Sequence, residues 1–342
     1  MGEARVYSER LGAISDAQFE AVAERFGLGR FVSATPIASG LFGQNVFVAT
    51  TGGEFVLRGA PHWVKGRGET EWRREDRWQF TKERFFARHL HERTKTPVPW
   101  PMLHDEASDI FGWPYLVMPR MPGLCTDERA ILKILTPDDR RDVAAALAEN
   151  LLEMQRLTWD IAGDFDRTSI ALEPFQGGAM QRVVDETLEM AAAGTLTDDD
   201  RAWIAHAATR ALATSDPAVN AYVHVDYKLN NLTLSKDRGR WRVSGLFDLH
   251  EGQFSDGARD IVREACIYLD TEPASAQIFV ETYAAGAGRG EFSPDRMALY
   301  VINDRLKFWE FFARPDNRPD WLEGKTFRGW TERYVRGVLD LL

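Results

Sequence analysis

Two short apolar runs in the second half of the chain are each followed by polar side chains. His224, Asp226 and Asn231 follow the first run, and Asp248 follows the second. One carboxylate in such a set can accept the proton of an attacking hydroxyl, while an amide and a second carboxylate hold Mg²⁺ against nucleotide phosphates. The residue types and their spacing therefore indicate metal-assisted phosphoryl transfer.

These polar residues could instead be turn formers, because Asp and Asn are favoured where strands end. Turn formation does not require this spacing, so the chemical interpretation is preferred. Asp226 is the candidate base, since a carboxylate on a short loop beside a cation stays ionised. His224 is expected to brace the loop by hydrogen bonds and not to act as the base.

The chain carries three blocks that resemble the signature of the aminoglycoside phosphotransferase family, which is related to protein kinases and choline kinases: His224-x-Asp226-x4-Asn231, Asp248, and Asp256-x3-Asp260. The family pattern has Gly where this chain has Val225, and it differs at several neighbours of Asp256. None of these departures removes a side chain that does chemistry. The resemblance implies an α+β fold of the bilobal protein-kinase type, with a small β-rich N-terminal lobe and a large, mainly helical C-terminal lobe.

The same resemblance implies cofactors and residue roles. ATP or GTP is expected with Mg²⁺, which Asn231 and Asp248 would bind. Asp226 would be the catalytic base. His224 and Asp260 would support the catalytic loop structurally.

A glycine-containing hairpin is expected to cover the triphosphate. It runs from Ser39 and Gly40 to Asn45, and its backbone N–H groups could approach phosphates.

Arg58 ends the next strand, where the kinase fold places a phosphate-binding Lys. Glu83 is its expected partner, with Glu75 as the rival. The alternative for Arg58 is a surface cation at a strand end.

The strand at 113–118 leads into a segment that resembles the hinge of this family. Adenine would be bound by the Pro119 carbonyl and the Met121 N–H, because the residue after Met121 is a proline and lacks the donor. The hinge divides the chain into a nucleotide-binding lobe at 1–121 and a helical lobe with the catalytic loop and substrate site at 122–342.

Hydrophobic periodicity predicts the surrounding elements. Strands are expected at 31–37, 45–50, 54–58, 113–118, 221–223 and 242–247. Helices are expected at 15–27, 79–92, 136–157, 178–193, 198–214, 258–269, 274–285, 293–313 and 326–341. The Trp- and Arg-rich segment 62–77 is interpreted as an insertion, either a lid or an oligomer contact, with a solvated loop as the alternative.

Composition limits the class of protein. A chain of 342 residues exceeds the usual size of a single core, and 44% hydrophobic with 27% charged residues is typical of a globular protein. The net charge of -10 argues against nucleic acid as partner and favours cationic small molecules. No apolar run is long enough to cross a bilayer, so no membrane partner and a cytoplasmic location are expected. A monomer or a homodimer fits equally well.

The leading functional hypothesis is a kinase for a hydroxyl of an aminoglycoside antibiotic, conferring resistance. The hinge region and a late helix with Asp304 and Glu310 look most like hygromycin phosphotransferases, and these two acids are candidate substrate contacts. Alternatively, both are solvated surface acids.

Three other functions compete with this hypothesis. A metabolic kinase for choline, a sugar amine or homoserine would share every motif. A nucleotide-binding pseudoenzyme is disfavoured, because all the catalytic and metal-binding side chains are present. A protein kinase is also disfavoured, because the interval from Asp248 to Asp260 leaves no room for an activation segment.

Overall fold

The computed structural model describes residues 4–8, 11–37, 44–59, 69–215, 217, 219–287, 292–313 and 317–342. In these ranges the strands are β1 Arg5–Ser8, β2 Gly12–Ile14, β3 Phe31–Pro36, β4 Asn45–Thr50, β5 Gly53–Gly59, β6 Leu103–Asp105, β7 Tyr115–Pro119, β8 Thr158–Trp159, β9 Gly163–Phe165, β10 Leu172–Pro174, β11 Asn220–Val223, β12 Leu232–Asp237, β13 Arg240–Leu246 and β14 Gln253–Ser255. The helices are α1 Asp16–Arg25, α2 Glu69–Arg93, α3 Glu128–Ile134, α4 Pro137–Met154, α5 Gly178–Ala193, α6 Asp198–Leu212, α7 Ile261–Thr271, α8 Pro273–Ala287, α9 Pro294–Ala313 and α10 Phe327–Leu341.

The N-terminal lobe is built on an antiparallel sheet with strand order β3-β4-β5-β7-β6. Alternate residues of β4, including Val46 and Val48, are buried, as the two-residue period of a strand requires. Helix α1 packs on one face of the sheet, where Phe19 stacks on Phe31 with ring centroids 5.3 Å apart. This apolar face fixes the strands that carry the candidate phosphate-binding residues.

Helix α2 connects the two lobes. Its apolar residues Phe80, Phe86 and Leu90 belong to the same buried cluster as the helices of the C-terminal lobe. In its third turn, the Trp78 Nε1 donates to the Phe165 carbonyl of β9 at 2.8 Å. Beside it, the Lys82 Nζ lies 2.6 Å from the Asp164 carboxylate. Since Glu83 of the same helix also contacts Arg58 of β5, the helix contacts both lobes.

The predicted start of this helix at residue 79 was wrong. The helix begins at Glu69, so residues 69–77 are helical and do not form an inserted loop. The dense charges of this stretch obscure its apolar periodicity, although alternating charges are compatible with an exposed helix face. Residues 62–68 lie outside the described part of the chain.

The C-terminal lobe is mainly helical, which confirms the predicted bilobal fold. Helix α4 begins as predicted, with the Thr136 hydroxyl accepting from the Asp139 N–H and Pro137 in the first turn. A small sheet of order β10-β9-β14-β11-β8 and the separate hairpin β12-β13 lie at the edge of the helices. No helix in the described ranges is long and apolar enough to cross a membrane.

The connection after β7 is docked on the hairpin β12-β13. Leu124 and Leu234 exchange two backbone hydrogen bonds of 2.8 and 2.9 Å, and the Ser244 hydroxyl donates to the Pro122 carbonyl at 2.6 Å. Gly123 has φ of 108°, and a Cβ at this position would overlap the Leu234 carbonyl. The predicted lobe boundary between residues 121 and 122 falls within this connection.

Candidate active site

The beginning of the loop after β11 is held by bonds to two other segments. The Asp260 carboxylate accepts from the backbone N–H groups of His224 at 2.6 Å and of Val225 at 2.7 Å. The His224 Nε2 lies 3.0 Å from the Phe247 carbonyl, so this nitrogen is the one that donates. These bonds fix the loop between α7 and the end of β13.

Val225 occupies a backbone conformation that suits glycine. Its φ is 71°, in the left-handed region that β-branched residues rarely adopt. The family pattern has Gly here, so this departure from the pattern introduces backbone strain. The bond from the Val225 N–H to Asp260 holds the residue in this conformation.

Asp226 lies among donors and cations. Its carboxylate accepts from the Asn231 Nδ2 at 2.9 Å and from the Lys228 Nζ at 2.8 Å, and it also contacts the Arg263 guanidinium. Burial raises the pKa of Asp226, but the charges of Arg263 and Lys228 outweigh burial and bring the pKa below its usual value. The carboxylate is therefore ionised at neutral pH and able to accept a proton.

Asn231 and Asp248 are brought together by the backbone. The Phe247 N–H donates to the Asn231 carbonyl at 3.1 Å, which places Asp248 directly after this contact. Burial raises the pKa of Asp248, yet the nearby Arg58 and His250 hold that pKa far below its ordinary range.

The two side chains fit the predicted Mg²⁺ site in their donor chemistry. Because the Asn231 Nδ2 is used by Asp226, the amide oxygen is the atom left for a metal. Among the described residues no group of three or more His, Cys, Asp or Glu side chains could hold a metal by itself. An amide and a carboxylate suit Mg²⁺, which takes its other ligands from phosphates and water.

Arg58 is the cation that faces this carboxylate from the N-terminal lobe. It is 7% exposed and contacts the fully buried Glu83 at 2.8 Å and Asp248 at 3.0 Å. The structure thus pairs Arg58 with Glu83, and the alternative of a surface cation was wrong. Burial raises the pKa of Glu83, which the charge of Arg58 opposes.

The remaining predicted nucleotide contacts are spread over several elements. Asn45 is directly opposite Arg58 in the β4-β5 register. Ser39 and Gly40 lie outside the described residues. Met121 packs on Gly245 of β13, where an added Cβ would lie 2.5 Å from the Met121 Cβ. Pro119 ends β7 opposite Phe55.

The two predicted substrate residues are separated. Asp304 is buried, and its Oδ1 lies 2.7 Å from the Arg263 Nε and its Oδ2 lies 3.0 Å from the Arg305 Nε. Asp304 is therefore not a solvated surface acid. Glu310 lies beside Gly194 at the end of α5. Arg263 thus joins Asp304 to Asp226, and Glu310 is not part of this group.

Lys228 and Arg263 are site residues that the sequence reasoning missed. Lys228 could have been predicted as a site residue, because it lies two positions after the candidate base Asp226 on the same short loop. Arg263 lies three residues after Asp260 at the start of α7, which is one helical turn. Its contact with Asp226 depends on how α7 packs against the loop.

Comparison of the structure with solved structures finds the same fold in aminoglycoside phosphotransferases. The GDP and kanamycin complex of APH(2")-IIia has a TM-score of 0.57 at 16% identity, with 94% of this chain and 96% of that chain covered. A thermostable mutant of APH(4)-Ia in ternary complex with ADP and hygromycin B has a TM-score of 0.59 at 17% identity, with 93% and 97% covered. Aminoglycoside-3'-phosphotransferase of type VIII has a TM-score of 0.53 at 20% identity, with 85% and 98% covered.

No curated protein sequence matches the chain. The phosphotransferase enzyme family matches residues 33–300, a span that contains Arg58, Glu83, Asp226 and Asp260. This match confirms the family that the three sequence blocks indicated. The chain belongs to the phosphotransferase enzyme family.

Proposed function

We propose that the protein transfers the γ-phosphate of ATP or GTP to a hydroxyl group of a small molecule. The observation that carries this proposal is the chain of contacts from Glu83 through Arg58 to Asp248, which spans the two lobes. A cation fixed between these carboxylates is suited to binding phosphate oxygens. Residues 1–121 would form the nucleotide-binding lobe and 122–342 the acceptor lobe, in a cytoplasmic enzyme.

Each side chain has a task in this reaction. Asp226 accepts the proton of the acceptor hydroxyl, since it is ionised and on the loop. Asn231 and Asp248 would hold Mg²⁺, which when bound neutralises the phosphate charge. Arg58 contacts the phosphates, with Glu83 fixing its orientation.

Asn45 and the loop with Ser39 and Gly40 cover the phosphates in this proposal. Pro119 and Met121 bind the adenine or guanine ring. His224 and Asp260 keep the catalytic loop in place.

Two acceptor classes are candidates. An aminoglycoside, hygromycin-like and linked to antibiotic resistance, is supported by the similarity to structures solved with kanamycin or hygromycin B and by the net charge of -10. A metabolic small molecule of the choline, sugar amine or homoserine type is the alternative, and homoserine, which carries a carboxylate, is supported by a different observation, the cations Arg259, Arg263 and Lys307 beside the loop. Asp304 and Glu310 would be acceptor contacts in the first case.

The test uses purified protein with Mg-ATP or Mg-GTP and a panel of acceptors. The panel includes kanamycin, hygromycin B, choline and homoserine, and mass spectrometry detects the phosphorylated product. Transfer to a hydroxyl of any panel member supports the kinase. Nucleotide binding without transfer to any acceptor would instead support a nucleotide-binding module.

A further inference from the structure

A small cleft lies beside the predicted base, between the catalytic loop, α7 and α9. Val225 forms one edge of it, and Arg263 lines it while also contacting Asp226. Arg259 and Lys307 line the same cleft. Of the described residues around the cleft, Asp304 is the one acidic member. An acceptor whose hydroxyl reaches Asp226 would therefore place its neighbouring groups among cations.

The acidic groups near this cleft are already compensated. Glu186 contacts the Arg259 guanidinium at 2.8 Å and the Lys307 Nζ at 2.9 Å. Asp304 is likewise held by two guanidinium groups, those of Arg263 and Arg305. Arg263 is shared by two carboxylates, Asp304 and Asp226, whereas Arg259 and Lys307 share the single carboxylate of Glu186, so the excess of positive charge lies on the Arg259 and Lys307 side of the cleft.

One donor of Arg259 has no acceptor. The side chain is 6% exposed, and its NH2 group donates to Glu186 at 2.8 Å and to the Asn303 Oδ1 at 2.9 Å. Its NH1 group is buried and makes no hydrogen bond. An unpaired donor on a buried guanidinium is unfavourable, and an anionic oxygen of a ligand would satisfy it.

A polycation does not suit this environment. An acceptor with several ammonium groups would bring like charges against Arg259 and Lys307, and such contacts are repulsive in a partly buried site. The negative net charge of the whole protein acts at longer range and is screened by salt. The local charges therefore decide which acceptor fits beside the base.

We infer that the acceptor is a hydroxylated small molecule that carries an anionic oxygen group, either a carboxylate or a phosphate, bound by Arg259 and Lys307. This inference rests on the proposed kinase function. In the reaction, the acceptor oxygen bonds to the γ-phosphorus of ATP or GTP while the bond to the β–γ bridging oxygen breaks. The hydroxyl proton passes to Asp226, and the nucleoside diphosphate leaves with the bonding electron pair.

Matched acceptors test the charge directly. D-gluconate carries a carboxylate where D-glucitol has a neutral hydroxyl group, and D-glycerate and glycerol differ in the same way. Glycerol phosphate tests a phosphate group in place of the carboxylate. Choline, kanamycin and hygromycin B form the cationic arm. Initial rates should give kcat/KM at least about tenfold higher for an acid than for its neutral partner. The better of the carboxylate and phosphate arms identifies the source of the anion.

Variants and direct binding keep the test decisive. Lys307→Gln should raise KM for the acid about tenfold with little change in kcat, and Lys307→Arg should restore the wild-type KM. Lys325→Gln makes the same charge change at an exposed position and should leave KM unchanged. Calorimetry with D-gluconate, D-glycerate and glycerol phosphate measures binding without turnover, and Arg259→Gln should weaken it.

Several outcomes would overturn the inference. Phosphorylation of aminoglycosides alone would leave the kinase function standing and remove the anionic acceptor. Binding of no anion in the panel, or equal affinity of wild type and Lys307→Gln, would also overturn it. Transfer to no acceptor of any charge would count against the kinase function itself, and the calorimetry then decides the anion site separately.

Discussion

The Arg58 guanidinium lies 3.0 Å from the Asp248 carboxylate, which joins strand β5 of the small lobe to the end of β13 in the large lobe. The two residues are 190 positions apart in the sequence. Both have charges suited to a nucleotide phosphate or its metal ion. The contact therefore locates the triphosphate between the lobes in our proposal.

Arg58→Met should reduce kcat/KM for the nucleotide about a hundredfold, because it removes a charged donor to the phosphates. Arg58→Lys should lose less, since it keeps the charge without the planar fork. Steady-state kinetics with varied ATP would measure both. Arg88→Met on the exposed face of α2 is the control and should behave as wild type. Near-normal turnover of Arg58→Met would remove Arg58 from phosphate binding.

Asp226→Ala should lower turnover by about 10²–10⁴-fold while leaving nucleotide affinity nearly unchanged, because the base contacts the acceptor and not the nucleotide. Product formation and a nucleotide titration would report the two properties separately. Asp237→Ala, on the exposed end of β12, provides a matched control. A variant that loses nucleotide binding together with turnover would show that Asp226 acts elsewhere.

Val225→Gly should raise the free energy of unfolding by about 1 kcal/mol, because Gly relieves the strain of a positive φ at a β-branched residue. The greater chain entropy of Gly in the unfolded state offsets part of this gain. Urea denaturation measures the difference. The same exchange at Val32, an exposed position in β3, should destabilise the protein. Destabilisation by Val225→Gly would mean that φ is not strained there.

The pH dependence of stability should carry a contribution from Asp260. Burial raises its pKa to about 6, against the opposing effect of the His224 charge and of the N–H donors of His224 and Val225. The pKa of Asp260 in the folded protein is thus higher than its value of about 3.9 in the unfolded chain. The group therefore contributes its whole stabilisation below pH 4 and loses that stabilisation as pH rises through 6. The loss amounts to about 3 kcal/mol.

Asp260→Asn removes this titration and serves as the reference. The NH2 group of the Asn side chain would face one of the two backbone N–H groups, those of His224 and Val225, donor against donor. The variant should therefore be less stable than wild type. Urea unfolding at intervals from pH 4 to pH 8 should show the advantage of wild type shrinking up to about pH 6 and then staying level. An advantage that grows over this interval would show that the folded pKa of Asp260 lies below its unfolded value.

The sequence predicted the fold and much of the site because local signals coincide there. The helices at 178–193 and 326–341 were predicted to within one residue, since each has apolar periodicity and the second also has Thr326 as its N-cap. Arg58, Glu83 and Asp248 were also predicted as site residues, although they are distant in sequence. The spacing of the sequence motifs identified these three residues, whereas the pattern of charges alone would not have identified them.

Other features depend on tertiary packing and could not be read from sequence. Residues 69–77 are densely charged, and the sequence predicts an insertion there, either a lid or an oligomer contact, with a solvated loop as the alternative, whereas the helix already begins at Glu69. The contact of Arg263 with Asp226 requires α7 to pack against the catalytic loop. The positive φ of Val225 contradicts the local preference of valine and follows from the bond to Asp260.

Helix α2 holds Glu83 between two anchors, the buried apolar face it shares with the large lobe and the ion pair of Lys82 with Asp164. Many kinases are switched off when the corresponding helix swings outward and withdraws its glutamate. Here such a swing would expose Phe80, Phe86 and Leu90 and break the Trp78 hydrogen bond at the same time. The enzyme would therefore be constitutively competent, with its output set by the supply of acceptor and not by an on–off movement of this helix.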